Sequence, residues 1–281
     1  MNKKKTKGVL LAIWAIGILL SLSACGRSGG DGGISVGVVG SSSVAPLAEV
    51  ESEYFLRVRS DITIDVQSVG SSAGIKAVTD GTAMIGMSSR NLKSNEKAGL
   101  EQYVVALDGI AVIVHPSNPA TNLSKAQILA IFKGEIRNWK EVGGKDAPIV
   151  VVSREEGSGT RGAFEEMTGL EGERDGAKIS LLYAKAIITD GNGSVKQNIA
   201  LKANGIGYIS VGSVDESVKA IGVNGILPSE ANIKAGTYPI ARPFLLLTKG
   251  TPTPEAQAFI EFILSAEGQK IVQEHYYIPV R

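Results

Sequence analysis

From residue 34 onward, short apolar runs alternate with helix-forming stretches, and this alternation restricts the fold more than any other feature of the sequence. Ile34–Val39 reads as a strand, and Val44–Val58 after it as a helix. Further strands are expected at Ile62–Gln67, Ala83–Met87, Ile110–His115 (closed by Pro116), Ile149–Val152, Ile206–Ser210 and Phe244–Leu247. Helices are expected at Ala73–Asp80, from a Ser124 cap through Phe132, at Thr160–Met167, at Val195–Ala203 and at Pro254–Val272. Apolar strands this short, separated by helices, fit only parallel or mixed sheets with helices on both faces. The predicted fold class is therefore α/β.

Glycine is abundant, at 34 of 281 residues against an average of about 7%, and it gathers in turns. Four strand ends run into turns rich in glycine and hydroxyls: Gly40-Ser41-Ser42-Ser43, Gly70-Ser71-Ser72-Ala73-Gly74, Gly86-Met87-Ser88-Ser89-Arg90 and Ser153-Arg154-Glu155-Glu156-Gly157-Ser158-Gly159-Thr160. At least three of them lead directly into a helix. A helix N-terminus presents unpaired N–H groups and partial positive charge, so it attracts anions without a cationic side chain. Glycine lets the backbone approach an oxygen, and a serine hydroxyl adds a donor. A single serine before a helix is ordinarily just an N-cap. Four such turns at carboxyl ends of strands, where open α/β sheets bind ligands, point instead to an anion site.

The chain opens with Asn-Lys-Lys-Lys-Thr-Lys, an apolar run from Gly8 to Leu22 broken only by Ser21, and then Leu22-Ser23-Ala24-Cys25. The run is shorter than the roughly 20 residues of a spanning helix and has the layout of a secretory signal. Cys25 is the sole cysteine, which rules out an intramolecular disulfide. Residues 26–33 read as a flexible glycine-rich tether. Four of the 29 basic residues lie in this leader, so the remainder is slightly acidic. With no basic block and few aromatics, nucleic acid is not expected as a partner. An anion must then be held by a local site and not by the overall field.

Other chemistries lack their residues. Gly157-Ser158-Gly159-Thr160 is not followed by the Lys-Ser/Thr of a P-loop, and it is not a Gly-x-Ser-x-Gly elbow. His115 and His275 are the only histidines, no metal-ligand spacing is present, and no cofactor is expected. A secreted phosphoryl-transfer enzyme would need a general base beside the turns, and none is evident.

Together, Gly40–Pro46, Val69–Lys76, Ala83–Leu92, Ser153–Phe164, Gly205–Ile209 and Tyr238–Pro243 resemble the phosphate-binding subunits of bacterial phosphate ABC importers, across essentially all of residues 34–281. The leader resembles a lipobox, which implies cleavage before Cys25, lipidation of that cysteine and an extracytoplasmic protein held on the membrane. The family implies a monomer that hands phosphate to permease subunits, although sulfate or molybdate remains an alternative ligand. It also implies a two-lobed periplasmic-binding-protein fold, with residues 34–115 and 240–281 in one lobe and 116–239 in the other. Crossovers are expected near Val112–His115 and Tyr238–Pro243. Carried over residue by residue, the resemblance assigns anion binding to Ser42, Ser43, Ser71, Ser72, Ser88, Ser89, Arg154, Gly157, Ser158, Gly159 and Thr160. Glu156 is implied to orient Arg154. Ser89 stands where Gram-negative relatives carry an aspartate that accepts the proton of bound phosphate; it is similar to the variant in Gram-positive relatives.

Overall fold

All of the apolar runs expected to be strands enter one ten-stranded mixed sheet. The computed structural model describes residues 33–280; the leader, Cys25 and the tether before residue 33 lie outside the described residues. In chain order the elements are β1 (Ile34–Gly40), α1 (Ala45–Val58), β2 (Ile62–Ser68), α2 (Ser71–Asp80), β3 (Ile85–Ser88), β4 (Leu100–Val114) and β5 (Asn122–Leu123). Then come α3 (Lys125–Lys133), β6 (Val150–Arg154), α4 (Gly159–Thr168), β7 (Glu171–Arg174), β8 (Ala177–Ser180), β9 (Ile187–Thr189) and α5 (Gly191–Ala200). The chain ends with β10 (Gly205–Ser210), β11 (Lys219–Val223), α6 (Glu230–Lys234), β12 (Ala241–Lys249), α7 (Pro254–Leu264) and α8 (Ala266–Glu274).

The main strand order is β2-β1-β3-β12-β4-β10-β6-β9, with β11 also paired to β4 and to β5, while β7 and β8 form a separate hairpin. β1 runs parallel to β2 and β3, and β6 runs parallel to β10 and β9. The carboxyl ends of β1, β3 and β6 are where the turns of interest begin.

Two large hydrophobic cores and two smaller clusters lie along this sheet. One large core gathers Val36, Phe55, Ile85, Phe244 and Phe259; the other gathers Phe132, Trp139, Phe164, Tyr208 and Ile240. Within the second, Phe164 stacks on Tyr208 at 3.9 Å between ring centroids. β4 serves both. Val105 and Ala106 belong to the first core, while Ile110, Val112 and Val114 belong to the second. β12, antiparallel to β4 from Ala241↔Gly109 to Lys249↔Leu100, changes core between Ala241 and Phe244. The passage on β4 thus falls at residues 106–110, ahead of the Val112–His115 expected. The apolar run at 110–115 is only the far end of a strand that begins at Leu100 and carries Glu101, Gln102 and Asp108 before it.

The single helix expected over Pro254–Val272 is two. Ser265 ends α7 in an extended conformation, and its hydroxyl caps α8 by accepting from Gly268 N at 3.2 Å. A Cβ on Gly268 would lie 2.3 Å from Phe262 O, so the corner requires glycine.

Candidate functional site

Backbone contacts lace the first three turns together. Ser41 N donates to Met87 O at 3.0 Å, and Val69 N and Gly70 N both donate to Gly40 O at 2.8 Å. The approach is close enough to need glycine: a Cβ on Gly40 would fall 2.3 Å from Met87 O, and one on Gly74 would fall 2.4 Å from Val39 O. The fourth turn meets them from the other half of the sheet. Ser72 N donates to Gly157 O at 3.1 Å, and Ser43 Oγ and Thr160 Oγ1 share a hydrogen bond of 2.8 Å. A Cβ on Gly159 would lie 2.1 Å from Ser71 Oγ and 2.6 Å from Ser89 Oγ. All four turns named from the sequence converge on one place.

The result is a buried nest of hydroxyls. Ser41, Ser43, Ser71, Ser89, Ser158 and Thr160 are all buried. Ser41 Oγ donates to Ser89 Oγ at 2.8 Å, Ser71 Oγ lies 3.5 Å from Ser89 Oγ, and Ser89 N donates to Ser71 Oγ at 3.1 Å. Ser158 caps α4 by accepting from Arg161 N at 3.2 Å, which leaves its own proton free to donate. Gly157, at φ +86°, turns the chain into that cap. Two expected members stand apart. Ser88 is buried but donates to Arg90 O at 2.8 Å, within its own turn. The half-buried Ser72 accepts from Arg90 Nη2 at 3.3 Å. Arg90 is itself tied to Glu96 at 2.7 and 2.8 Å, so it braces the third turn.

Arg154, at the end of β6, is 1% exposed. Its Nη2 donates to Ser42 Oγ and its Nη1 to Asn192 Oδ1, each at 2.9 Å. The carboxylate that holds it is Glu155 and not the expected Glu156. Nε and Nη2 donate to the two Glu155 oxygens at 2.7 Å each, a bidentate pair. Glu155 also accepts from Gly191 N at 3.4 Å, at the positive end of α5, whereas Glu156 is exposed on the rim. Burial opposes ionisation of Glu155, but the hydrogen bonds and charge of Arg154 outweigh it and hold the carboxyl below its ordinary range. With two adjacent glutamates, nothing in the sequence itself ranks them.

Three further groups escaped the sequence reading. Asn192, in the first turn of α5, donates to Ser43 Oγ at 3.0 Å while accepting from Arg154. Asp108 on β4 and Arg242 on β12 face each other in register, with Nη2 and Nε donating to Asp108 Oδ2 at 2.9 and 3.1 Å. Their signal was an acid and an arginine, each inside an apolar strand sequence. Burial pushes the Asp108 carboxyl up and the Arg242 guanidinium down, and their attraction opposes both shifts.

Beside the nest, a cavity of about 290 Å³ reaches Ser72, Gly157 and Ser158 and is lined also by Lys93, Arg161 and Lys178. Among the described residues, no group of three or more His, Cys, Asp or Glu is placed to hold a metal ion. Both Glu155 and Asp108, the carboxylates paired with the arginines of the nest, are engaged by those arginines. Converging N–H groups and hydroxyls of this kind suit holding an anion.

Residues 27–267 match the family model of the PBP superfamily domain. The phosphate-binding protein PstS of Bacillus subtilis is 33% identical over 99% of this chain and 95% of its own length. Among solved structures, a candidate phosphate ABC transporter substrate-binding protein from Clostridium perfringens, with bound phosphate, is 45% identical and superposes with a TM-score of 0.83, covering 88% of this chain and 100% of that one. An ABC-type phosphate transport receptor from Vibrio cholerae is 38% identical, with a TM-score of 0.75 over 86% of this chain and 99% of its own. With a family model spanning most of its length and a full-length relative sharing a third of its residues, the chain belongs to the PstS-type phosphate-binding proteins of the PBP superfamily.

Proposed function

We propose that this protein captures inorganic phosphate outside the cytoplasm and delivers it to the permease subunits of an ABC importer. The observation that carries the reading is the convergence of four strand-end turns on one hydroxyl-lined nest beside the buried guanidinium of Arg154. Ser42 and the Ser43 N–H, Ser71, Ser89, the Ser158 hydroxyl, and the N–H groups of Gly159 and Thr160 are the proposed donors, with Ser72, Ser88 and Gly157 supporting them. The relatives are a phosphate-binding protein and a phosphate ABC transporter substrate-binding protein with bound phosphate, which supports the reading. Lipidation of Cys25 is the proposed membrane anchor. Isothermal titration of the purified protein with phosphate, sulfate and molybdate is the direct test. Saturable one-to-one phosphate binding is expected, and no heat with any of the three would overturn the reading.

Ser89 favours a second reading, in which the same site takes another tetrahedral oxyanion. A carboxylate there would accept the proton that phosphate keeps and would repel sulfate; a hydroxyl satisfies either anion. Sulfate binding tighter than phosphate in the same titration would select it.

A further inference from the structure

Arg242 sits on β12 where that strand passes between the two cores, yet three of its contacts leave the strand. Nη1 donates to Ser89 O at 3.0 Å and Nη2 to Ser43 Oγ at 3.2 Å, so one guanidinium grips the first and third anion turns at once. The same side chain is anchored on Asp108, whose other oxygen accepts from Ser210 Oγ at 2.8 Å at the end of β10. Both ionic groups are essentially without solvent contact. Breaking such a pair is costly, and apolar replacements of similar volume commonly serve stability as well or better. A purely structural role therefore leaves unexplained why a cation is spread across two anion-binding turns.

Charge supplies the reason. Arg154 is neutralised by Glu155, and the other proposed donors in the nest are uncharged hydroxyls and N–H groups. A divalent tetrahedral anion brought into this buried space needs more positive potential than one neutralised arginine supplies. Arg242 places a second guanidinium against the nest, on the buried hydroxyl of Ser43, and Asp108 fixes how much of its charge reaches the nest.

We propose that Arg242 is a second affinity-determining cation of the anion site, acting through Ser43 and Ser89, with Asp108 as the counter-ion that moderates it. The inference rests on the oxyanion-binding reading above. It makes Asp108 an antagonist of binding: removing its charge weakens the fold but strengthens the hold on a dianion. Simple bracing of the turns gives the opposite sign, because a loosened brace lowers stability and affinity together.

The test is titration of the full chain with phosphate and with sulfate, paired with thermal unfolding of the anion-free protein, for wild type, Arg242→Gln, Arg242→Lys and Asp108→Asn. Arg242→Gln should lose at least about tenfold in affinity for both anions, a loss of about 1.4 kcal/mol. Arg242→Lys should recover part of it by restoring the charge without the fork. Asp108→Asn should unfold at lower temperature yet bind both anions more tightly. Arg242→Gln binding as wild type does, or Asp108→Asn binding more weakly while folded, would overturn the proposal alone. No binding by wild type would overturn it together with the functional reading. If Asp108→Asn does not fold, Arg242→Lys decides: affinity no better than that of Arg242→Gln overturns the role of the charge.

Discussion

Arg154 brings Ser42, Asn192 and Glu155 together, and its environment predicts unequal effects of its neighbours. Loss of a buried, charge-bearing partner costs about 2–5 kcal/mol, so Arg154→Ala should weaken phosphate binding on that scale. Arg154→Lys should fall between the two, because it keeps the charge but not the planar fork. Glu155→Gln should weaken binding, because Arg154 is proposed to meet the ligand directly and loses the bidentate hold that orients it, whereas Arg242 stays tied to Ser43 and Ser89 when Asp108 is neutralised; Glu156→Gln, at the exposed rim, should change binding little, and titration of the two glutamate variants side by side checks the assignment. Glu51 on α1 is buried with both carboxyl oxygens unpartnered. Burial, and then the charge of Glu267, push its pKa from the ordinary 4.5 up to about 9. The folded protein thus holds this proton more tightly than the unfolded chain. The associated stability is complete below the unfolded value and is lost as pH rises from about 4.5 to about 9. Glu51→Gln should flatten that slope in thermal unfolding across pH, and an unchanged slope would count against the buried neutral carboxyl. At this scale the sequence was legible where a residue's own turn announced it, as with Ser43, Ser71 and Thr160. It was mute where a partner comes from a distant strand, as with Asp108 and Arg242, or where two like residues are adjacent, as with Glu155 and Glu156.

Two glycines of the nest separate closing from folding at the level of elements. On α4, alanine at Gly159 would press into Ser71 and Ser89 of the facing turns, a collision that separation of the turns relieves. Gly159→Ala should therefore weaken anion binding by at least about tenfold and leave the unfolding temperature of the anion-free protein nearly unchanged. Gly74 packs α2 on β1 within one half, and a Cβ there meets backbone at 2.4 and 2.5 Å. Gly74→Ala should destabilise the fold by about 1–3 kcal/mol whether or not anion is present. Calorimetry with and without phosphate distinguishes the two behaviours. The elements themselves were mostly readable because apolar runs such as Ile62–Gln67 keep one period throughout. β5, β7, β8, β9 and β11 went unread: they are two to five residues long and mostly half-exposed, so neither length nor pattern marks them. The break at Ser265 was hidden by apolar residues that continue in helical phase on both sides of it.

Across the whole molecule, the two cores and the strands β4 and β12 that join them favour a cleft that shuts on its ligand. Donors proposed for the anion come from both halves, so a bound state needs them together. Small-angle scattering should give a smaller radius of gyration with phosphate than without it, and equal radii in the presence of confirmed binding would refute closure. The two-lobed plan was legible only through the family resemblance; the run at Ile110–His115 hid the fact that one strand, Leu100–Val114, serves both cores. The place of β12 in the sheet has a further consequence, for the order of folding. The last strand in sequence lies between β3 and β4, and Ile278 beyond it exchanges backbone hydrogen bonds with Leu107 of β4. Until residues 241–249 are available, β3 has no strand linking it to β4. The sheet closes late, through contacts that span much of the chain, a topology that folds slowly. A polypeptide threaded through a membrane N-terminus first would thus stay unfinished, and easy to pull, until its last forty residues had emerged.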